Sequence, residues 1–257
     1  MSGKGNFIGI LPAAGTASRL RPFRYPKELL PIVFAPDPPR GLRPVLAIEY
    51  ALRAMGAAEI ERCLVVIADW KTEVVRLLGD GQELGMRLAY LHRDVPRGLA
   101  DAVDAGYPWF GDHSVCLALP DTIFRPLSAL KALKDELTAT GADVVLGVFP
   151  THQPQQLGPV RADEDGRVLA VFEKPPQTDL RNTWGIAAWS PRFSRFLHER
   201  LSATGVPDDL SLGPVFHEAV REGLAVRAVT FVGGAYCDVG KAENIASLLL
   251  NDEPDRG

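Results

Sequence analysis

Four stretches of this chain carry apolar side chains on nearly every residue, with no polar alternation: residues 7–11, 62–68, 114–119 and 143–149. A strand with one wet face alternates, so runs of Val, Ile and Leu this continuous belong to strands buried on both faces. Between them, residues 44–55, 72–78, 99–105 and 127–138 repeat their apolar positions at helical spacing. Strand–helix alternation of this kind predicts an α/β chain of three layers, a mostly parallel sheet with helices on both faces.

Past residue 150 the texture changes. Residues 160–162 and 168–172 flank Asp163-Glu164-Asp165-Gly166, a turn cluster that closes a hairpin. Residues 185–189 and 225–231 read as strands, and residues 191–201, 212–221 and 241–250 as helices. No Ser/Gly linker and no internal repeat divides the chain. We therefore expect a single domain over residues 1–250, followed by a frayed tail at 251–257. With 257 residues, 46% hydrophobic and 23% charged, such a domain can build a core without disulfides or a structural metal. A net charge of -4 gives no basic field for nucleic acid or anionic lipid, so neither is expected as a partner. Cys63, Cys116 and Cys237 form no CxxC pair, which fits a reducing cytoplasm. The first apolar run stops at Pro12, too short for a signal segment or a membrane span.

The first run leads into Leu11-Pro12-Ala13-Ala14-Gly15-Thr16-Ala17-Ser18-Arg19-Leu20. Small residues after a strand let backbone N–H groups come close to an anion, and Arg19 adds a fork suited to phosphate oxygens. Lys27 follows, held between Pro26 and Pro31. Alone, such a loop reads more readily as a β–α turn with surface cations. It is neither G-x-G-x-x-G nor GxxxxGK[ST], so neither dinucleotide binding nor a P-loop is supported.

Taken together, ILPAAGTASRLRP and the downstream PKELLPI resemble the signature of the sugar-phosphate nucleotidyltransferases, which include glucose-1-phosphate thymidylyl- and uridylyltransferases. The family form is AGGxGTRLxP followed by PKxLLP. Here Thr16-Ala17-Ser18 stands where the family has x-Gly-Thr. The resemblance continues in Gly98-Leu99-Ala100-Asp101-Ala102, similar to GLAxA, and in Leu119-Pro120-Asp121-Thr122-Ile123-Phe124, similar to LGDNIF. Leu157-Gly158-Pro159-Val160, Glu173-Lys174-Pro175, Trp184-Gly185-Ile186 and Gly233-Gly234-Ala235-Tyr236-Cys237-Asp238-Val239-Gly240 complete it.

This resemblance implies the Rossmann-like fold of nucleotide-diphospho-sugar transferases, with a nucleotide-binding part over about 1–125 and a sugar-binding part over about 126–250. It implies condensation of an NTP, dTTP or UTP favoured, with a sugar-1-phosphate to give an NDP-sugar and pyrophosphate. Arg19 and Lys27 would be catalytic. Leu11, Ala13, Ala14, Gly15, Arg93 and Gly98 would bind nucleotide, and Leu99, Gly158, Glu173, Lys174 and Gly185 the sugar phosphate. Asp121 and Asp238 would hold Mg²⁺. Small-molecule substrates are the implied partners, with room for a homo-oligomer.

The chemistry is consistent with those residue types. An ionised sugar phosphate needs no general base; the task is to bring two anions together and stabilise charge on the α-phosphoryl group. Base choice is the open element. Arg93 stands where family members commonly carry Gln, and a donor-only guanidinium suits acceptor edges such as those of cytosine or guanine. A cytidylyl- or guanylyltransferase, acting on a sugar or a non-sugar phosphate or phosphonate, is therefore the alternative. A non-catalytic regulatory member of the same fold is another, against which stand Arg19, Lys27, Asp121 and Asp238.

Overall fold

The computed structural model describes residues 6–15, 25–37, 41–93, 97–203, 208–240 and 244. In chain order these form β1 (Phe7–Pro12), β2 (Pro31–Asp37), β3 (Gly41–Leu46), α1 (Ala47–Ala57), β4 (Arg62–Ile67), α2 (Thr72–Leu78), β5 (Arg87–His92), α3 (Leu99–Asp104) and α4 (Tyr107–Phe110). There follow β6 (Ser114–Ala118), β7 (Thr122–Arg125), α5 (Ala129–Thr140), β8 (Val144–Pro150), β9 (Val160–Ala162), β10 (Val168–Val171), β11 (Asn182–Trp189), α6 (Pro191–Ser202), α7 (Leu212–Arg221), β12 (Val226–Thr230) and β13 (Ala235–Asp238).

The centre is a 7-stranded sheet in the order β12-β8-β11-β6-β1-β4-β5. The continuous apolar runs are its inner strands, and their successive residues divide between two cores. Phe7 and Leu11, with Cys63, Val65 and Ile67, face the helices α1, α2 and α5. Ile8 and Ile10, with Leu64 and Val66, face α3, α6 and α7. This is the period-2 geometry of a strand covered on both sides. Burying each such Leu, Ile or Val contributes roughly 1.5–3 kcal/mol, and helices on both faces follow from it.

Within this sheet all strand pairs are parallel except those of β11, which runs against both β8 and β6. The reason lies in the segment between β8 and β11. It does not cross back over a face of the sheet but makes the β9–β10 hairpin, antiparallel from Val160 to Val171. It re-enters at the end where β8 left, with Asn182 opposite Pro150. The excursion therefore stays at the carboxyl ends of the parallel strands, where ligand-binding loops of open α/β sheets gather.

Residues 44–46 are not helical as the spacing predicts. Pro44 lies in β3, opposite Phe34 of β2, and the helix starts at Ala47. This proline-rich two-stranded ribbon is separate from the main sheet, which is the setting where strands tolerate Pro. Three further short strands also went unread: β5 at the sheet edge, β7 and β13. The expected helix over 241–250 lies, apart from residue 244, outside the described residues.

Candidate active site

A cavity of about 800 Å³ opens at the carboxyl ends of β1 and β6, within the roughly 300–1,000 Å³ usual for ligand pockets. Pro12 and Gly15 contribute from the loop after β1, Lys27 from the turn after Pro26, Leu119 and Asp121 from the turn after β6, and Asp238 from the end of β13. Gln156, Gly158, Glu173 and Lys174 come from the β8–β11 excursion, and Gly98 and Leu99 from the start of α3.

Lys27 opens a single 3₁₀ turn, Lys27–Leu29. The Leu29 amide donates to Pro26 O at 3.0 Å, and Leu29 is buried in the core. The Leu30 carbonyl accepts from Ala47 N at 3.0 Å, which ties the turn to the start of α1. This fixed backbone places the Lys27 ammonium in direct contact with Asp121 Oδ2. Burial works to lower the Lys27 pKa, but the attraction and hydrogen bond of Asp121, with Glu28 and Asp238 adding to it, outweigh burial and raise it. Its surroundings thus favour the charged form of Lys27.

Asp121 and Asp238 lie far apart in sequence but meet through backbone pairing. β13 runs antiparallel to β7 with Asp238 opposite Thr122, and the Val239 amide donates to Asp121 O at 2.9 Å. The Asp238 Oδ1 accepts from Gly240 N at 2.7 Å, which orients that carboxylate. Both act on the charge of Lys27.

On the opposite wall Glu173 and Lys174 stand side by side, Nζ to Oε1 3.6 Å. Lys174 has a left-handed φ of +44°, as does Asp209 at +61°, and both line the cavity. Such backbone costs a non-glycine residue about 1–2 kcal/mol, and strain of this kind clusters at functional sites.

The glycines of the site have different reasons to be glycine. A side chain on Gly15 would meet nothing within 4 Å, so its backbone is open to close approach by an anion. Gly98, at φ +95°, packs directly on the backbone of Leu210. Gly158 lines the cavity, with the Trp184 indole filling the place of its side chain, and the Tyr236 ring does the same at Gly185. Leu11, Ala13 and Ala14 are buried beneath the loop, leaving Pro12 and Gly15 as its described lining.

Arg93 does not line the cavity among the described residues. Its Nε donates to Asp101 Oδ2 at 2.9 Å and its Nη2 contacts Oδ1, while the Arg97 amide donates to Oδ2 at 3.2 Å. Burial alone would raise the Asp101 pKa, but these donors hold its carboxyl below the ordinary range. Arg19 and residues 16–18 lie outside the described residues.

The sequence reading missed Asp209 and Ser211 as cavity residues. Ser211 precedes α7 without capping it, and its Oγ is buried with no hydrogen-bond partner. An uncapping Ser before a helix leaves no motif to read; only the folded chain brings Ser211 to the cavity lining.

The described lining carries four carboxylates, Asp121, Glu173, Asp209 and Asp238, against two ammonium groups, Lys27 and Lys174. Among the described residues, negative charge therefore outnumbers positive at the cavity. Two adjacent hard carboxylates suit a divalent cation such as Mg²⁺, which typically takes one or two carboxylates and completes its shell with water and phosphate oxygens.

The sequence model of a family described as nucleotidyl transferase matches residues 8–253. A glucose-1-phosphate thymidylyltransferase of Neisseria gonorrhoeae is 34% identical over 243 residues, covering 92% of this chain and 79% of the relative. One from Neisseria meningitidis is 29% identical over the same shares. Among solved structures, a Bacillus anthracis protein in complex with a sucrose, provisionally described as a glucose-1-phosphate thymidylyltransferase, superposes with a TM-score of 0.83. It has 20% identity and covers 98% of this chain and 97% of that one. A UDP-glucose pyrophosphorylase complexed with UDP-glucose gives 0.77 at 18% identity, covering 96% and 98%.

Proposed function

This chain belongs to the nucleotidyl transferase family, and from that premise we propose that it joins a nucleoside triphosphate, UTP or dTTP, to a sugar-1-phosphate with release of pyrophosphate. One observation carries the reading: Lys27, Asp121, Asp238 and the Glu173–Lys174 wall come from distant segments and face one cavity of about 800 Å³.

A sugar-1-phosphate oxygen attacks the α-phosphorus; the new P–O bond forms as the bond to the β-phosphate oxygen breaks, and pyrophosphate leaves. The nucleophile is already ionised at neutral pH, so no side chain has to take a proton. What this chain supplies is position and charge. The open backbone at Gly15 receives the triphosphate. Lys27, held charged beside Asp121, meets the phosphates at the point of transfer, and an exchange of its Asp121 contact for phosphate oxygen releases the carboxylate. Lys174 meets the sugar phosphate and Glu173 accepts hydrogen bonds from sugar hydroxyls. Asp121 and Asp238 would hold Mg²⁺, which when bound supplies the charge that draws density from phosphoryl oxygens.

The commitment of Arg93 to Asp101 removes the argument for a cytosine or guanine edge, so UTP and dTTP stand as the bases proposed. The test is a matrix of UTP, dTTP, CTP, GTP and ATP against several sugar-1-phosphates, read as pyrophosphate release with and without Mg²⁺. Release confined to a pyrimidine triphosphate with N3–H supports the reading. Turnover with CTP or GTP alone transfers it to the alternative, and release that persists in EDTA removes the metal.

A further inference from the structure

Behind the cavity lies an ion pair that the proposed chemistry does not use. Lys71 ends the 3₁₀ turn Asp69–Lys71 after β4 and is 0% exposed; Glu28, next to Lys27, is 1% exposed. The Lys71 ammonium donates to Glu28 Oε1 at 2.7 Å and to the carbonyl of Ala13 at 2.5 Å. The Trp70 ring covers it, 4.9 Å from Nζ to the ring centre. The other carboxylate oxygen, Glu28 Oε2, is buried with no partner.

We propose that Glu28 and Lys71 are positioning residues, one buried clamp that fixes the loop after β1 and the Lys27 turn relative to each other. The inference rests on the reading of that loop and Lys27 as the phosphate-binding wall. Ala13 is held from both sides, its N–H donating to Val66 O at 2.7 Å and its carbonyl accepting from Lys71. A trans peptide is planar, so pinning the Ala13 carbonyl also sets the direction of the Ala14 N–H, antiparallel to it. The same ammonium holds the side chain of the residue next to Lys27. A single charged atom thus registers two segments that must grip one triphosphate.

Stability alone does not account for the pair. A buried ion pair with an unsatisfied oxygen is no better for stability than well-packed apolar side chains, and replacing such pairs is often neutral or stabilising. Burial raises the pKa of Glu28 and lowers that of Lys71, both in the direction of burial outweighing the mutual attraction. What apolar side chains cannot do is hold a carbonyl.

The test uses Glu28→Met/Lys71→Met, which leaves no lone charge buried, in the full chain beside wild type. The melting temperature is expected to stay close to that of wild type, the relief of two buried charges offsetting the unpaired Ala13 carbonyl. Amide exchange in peptides covering residues 11–15 and 26–30 should quicken about tenfold or more, with β6 and β8 unchanged. In the best substrate pair of the wild type, kcat should fall about ten- to a hundredfold. In a Lys27→Ala background the same double change should cost less than it does in the otherwise wild-type chain, because the part of the clamp's effect that acts through Lys27 is already gone. Wild-type exchange in those peptides, or a melting temperature that falls with exchange quickening across the whole sheet, overturns the proposal. A wild type that releases no pyrophosphate with any substrate pair refutes the functional reading, while the exchange measurement still decides the clamp.

Discussion

On the wall built from β1, β6 and the Lys27 turn, charges are settled before any substrate arrives: Lys27 against Asp121, Lys71 against Glu28, each on backbone tied into the sheet. The facing wall, carried by the β8–β11 excursion and the segment before α7, is looser. The Lys174 side chain is 68% exposed and that of Glu173 29%, Ser211 has an unpaired hydroxyl, and two residues hold left-handed backbone. Phosphates present the same oxygens in every substrate of this reaction, so their wall can be fixed. Sugars differ in hydroxyl configuration, and a wall of exposed or unsatisfied groups on turns can be altered without disturbing the sheet.

If that division is right, the largest losses come from the fixed wall. Lys27→Ala should lower pyrophosphate release about a hundred- to a thousandfold, as loss of one preorganised charge-stabilising donor does, with the melting temperature little changed. A variant turning over like wild type removes Lys27 from the mechanism. Asp121→Asn and Asp238→Asn should each cost on the order of a hundredfold and move the Mg²⁺ dependence to higher concentration. If only one of them shifts the Mg²⁺ curve, the two carboxylates do not share an ion.

Arg93→Gln tests whether the far end of the site is structural. With the guanidinium forked onto a buried carboxylate, NTP preference should stay as in wild type while stability falls by about 1–2 kcal/mol, an exposed arginine being partly screened. That corresponds to roughly 2–8 °C in melting temperature for a chain of this size. The pH dependence gives the sign. Asp101 has its carboxyl held down in the folded chain, so its contribution is present above the unfolded value of about 3.9 and is lost as pH falls below it. The stability gap between variant and wild type should therefore close on acidification. A gap that widens, or a changed base preference, puts Arg93 back at the nucleotide.

Much of this was legible in the sequence because the signals were local. Residues 72–78 and 212–221 carry unbroken helical spacing, and the four apolar runs became β1, β4, β6 and β8 of the sheet. Lys27, Asp121, Asp238, Glu173 and Lys174 sit in motifs and meet in one cavity. The misses were contextual. Pro44 pairs in a ribbon that spacing alone renders as helix. Arg93 was read as a base contact from the Gln that family members commonly carry there, but its partner Asp101 lies on the helix beyond. Gly158 is glycine for Trp184, a contact 26 positions away in the chain. Nothing in the sequence marks Lys71 as buried: a lysine just before the helical spacing that begins at Thr72 belongs to no apolar pattern.

The smallest effect expected lies on the looser wall, at Lys174. Its ammonium and its backbone make separate contributions that two substitutions can divide. Lys174→Ala removes the ammonium but keeps a Cβ in the left-handed region; Lys174→Gly removes both. Sugar-1-phosphate KM should rise about tenfold in each, the magnitude of one charge-assisted contact at an exposed site. Only the glycine variant relieves the strain of about 1–2 kcal/mol, offset by the roughly 0.5–1 kcal/mol that glycine loses in conformational freedom. The glycine variant should thus melt above the alanine variant by a few degrees at most, on the order of 2–4 °C per kcal/mol. A glycine variant that melts below the alanine variant would mean that the turn at Lys174 bears no strain. A KM raised only by the glycine would mean that backbone rigidity, and not the ammonium, holds the sugar phosphate, and the two walls would then work by the same principle after all.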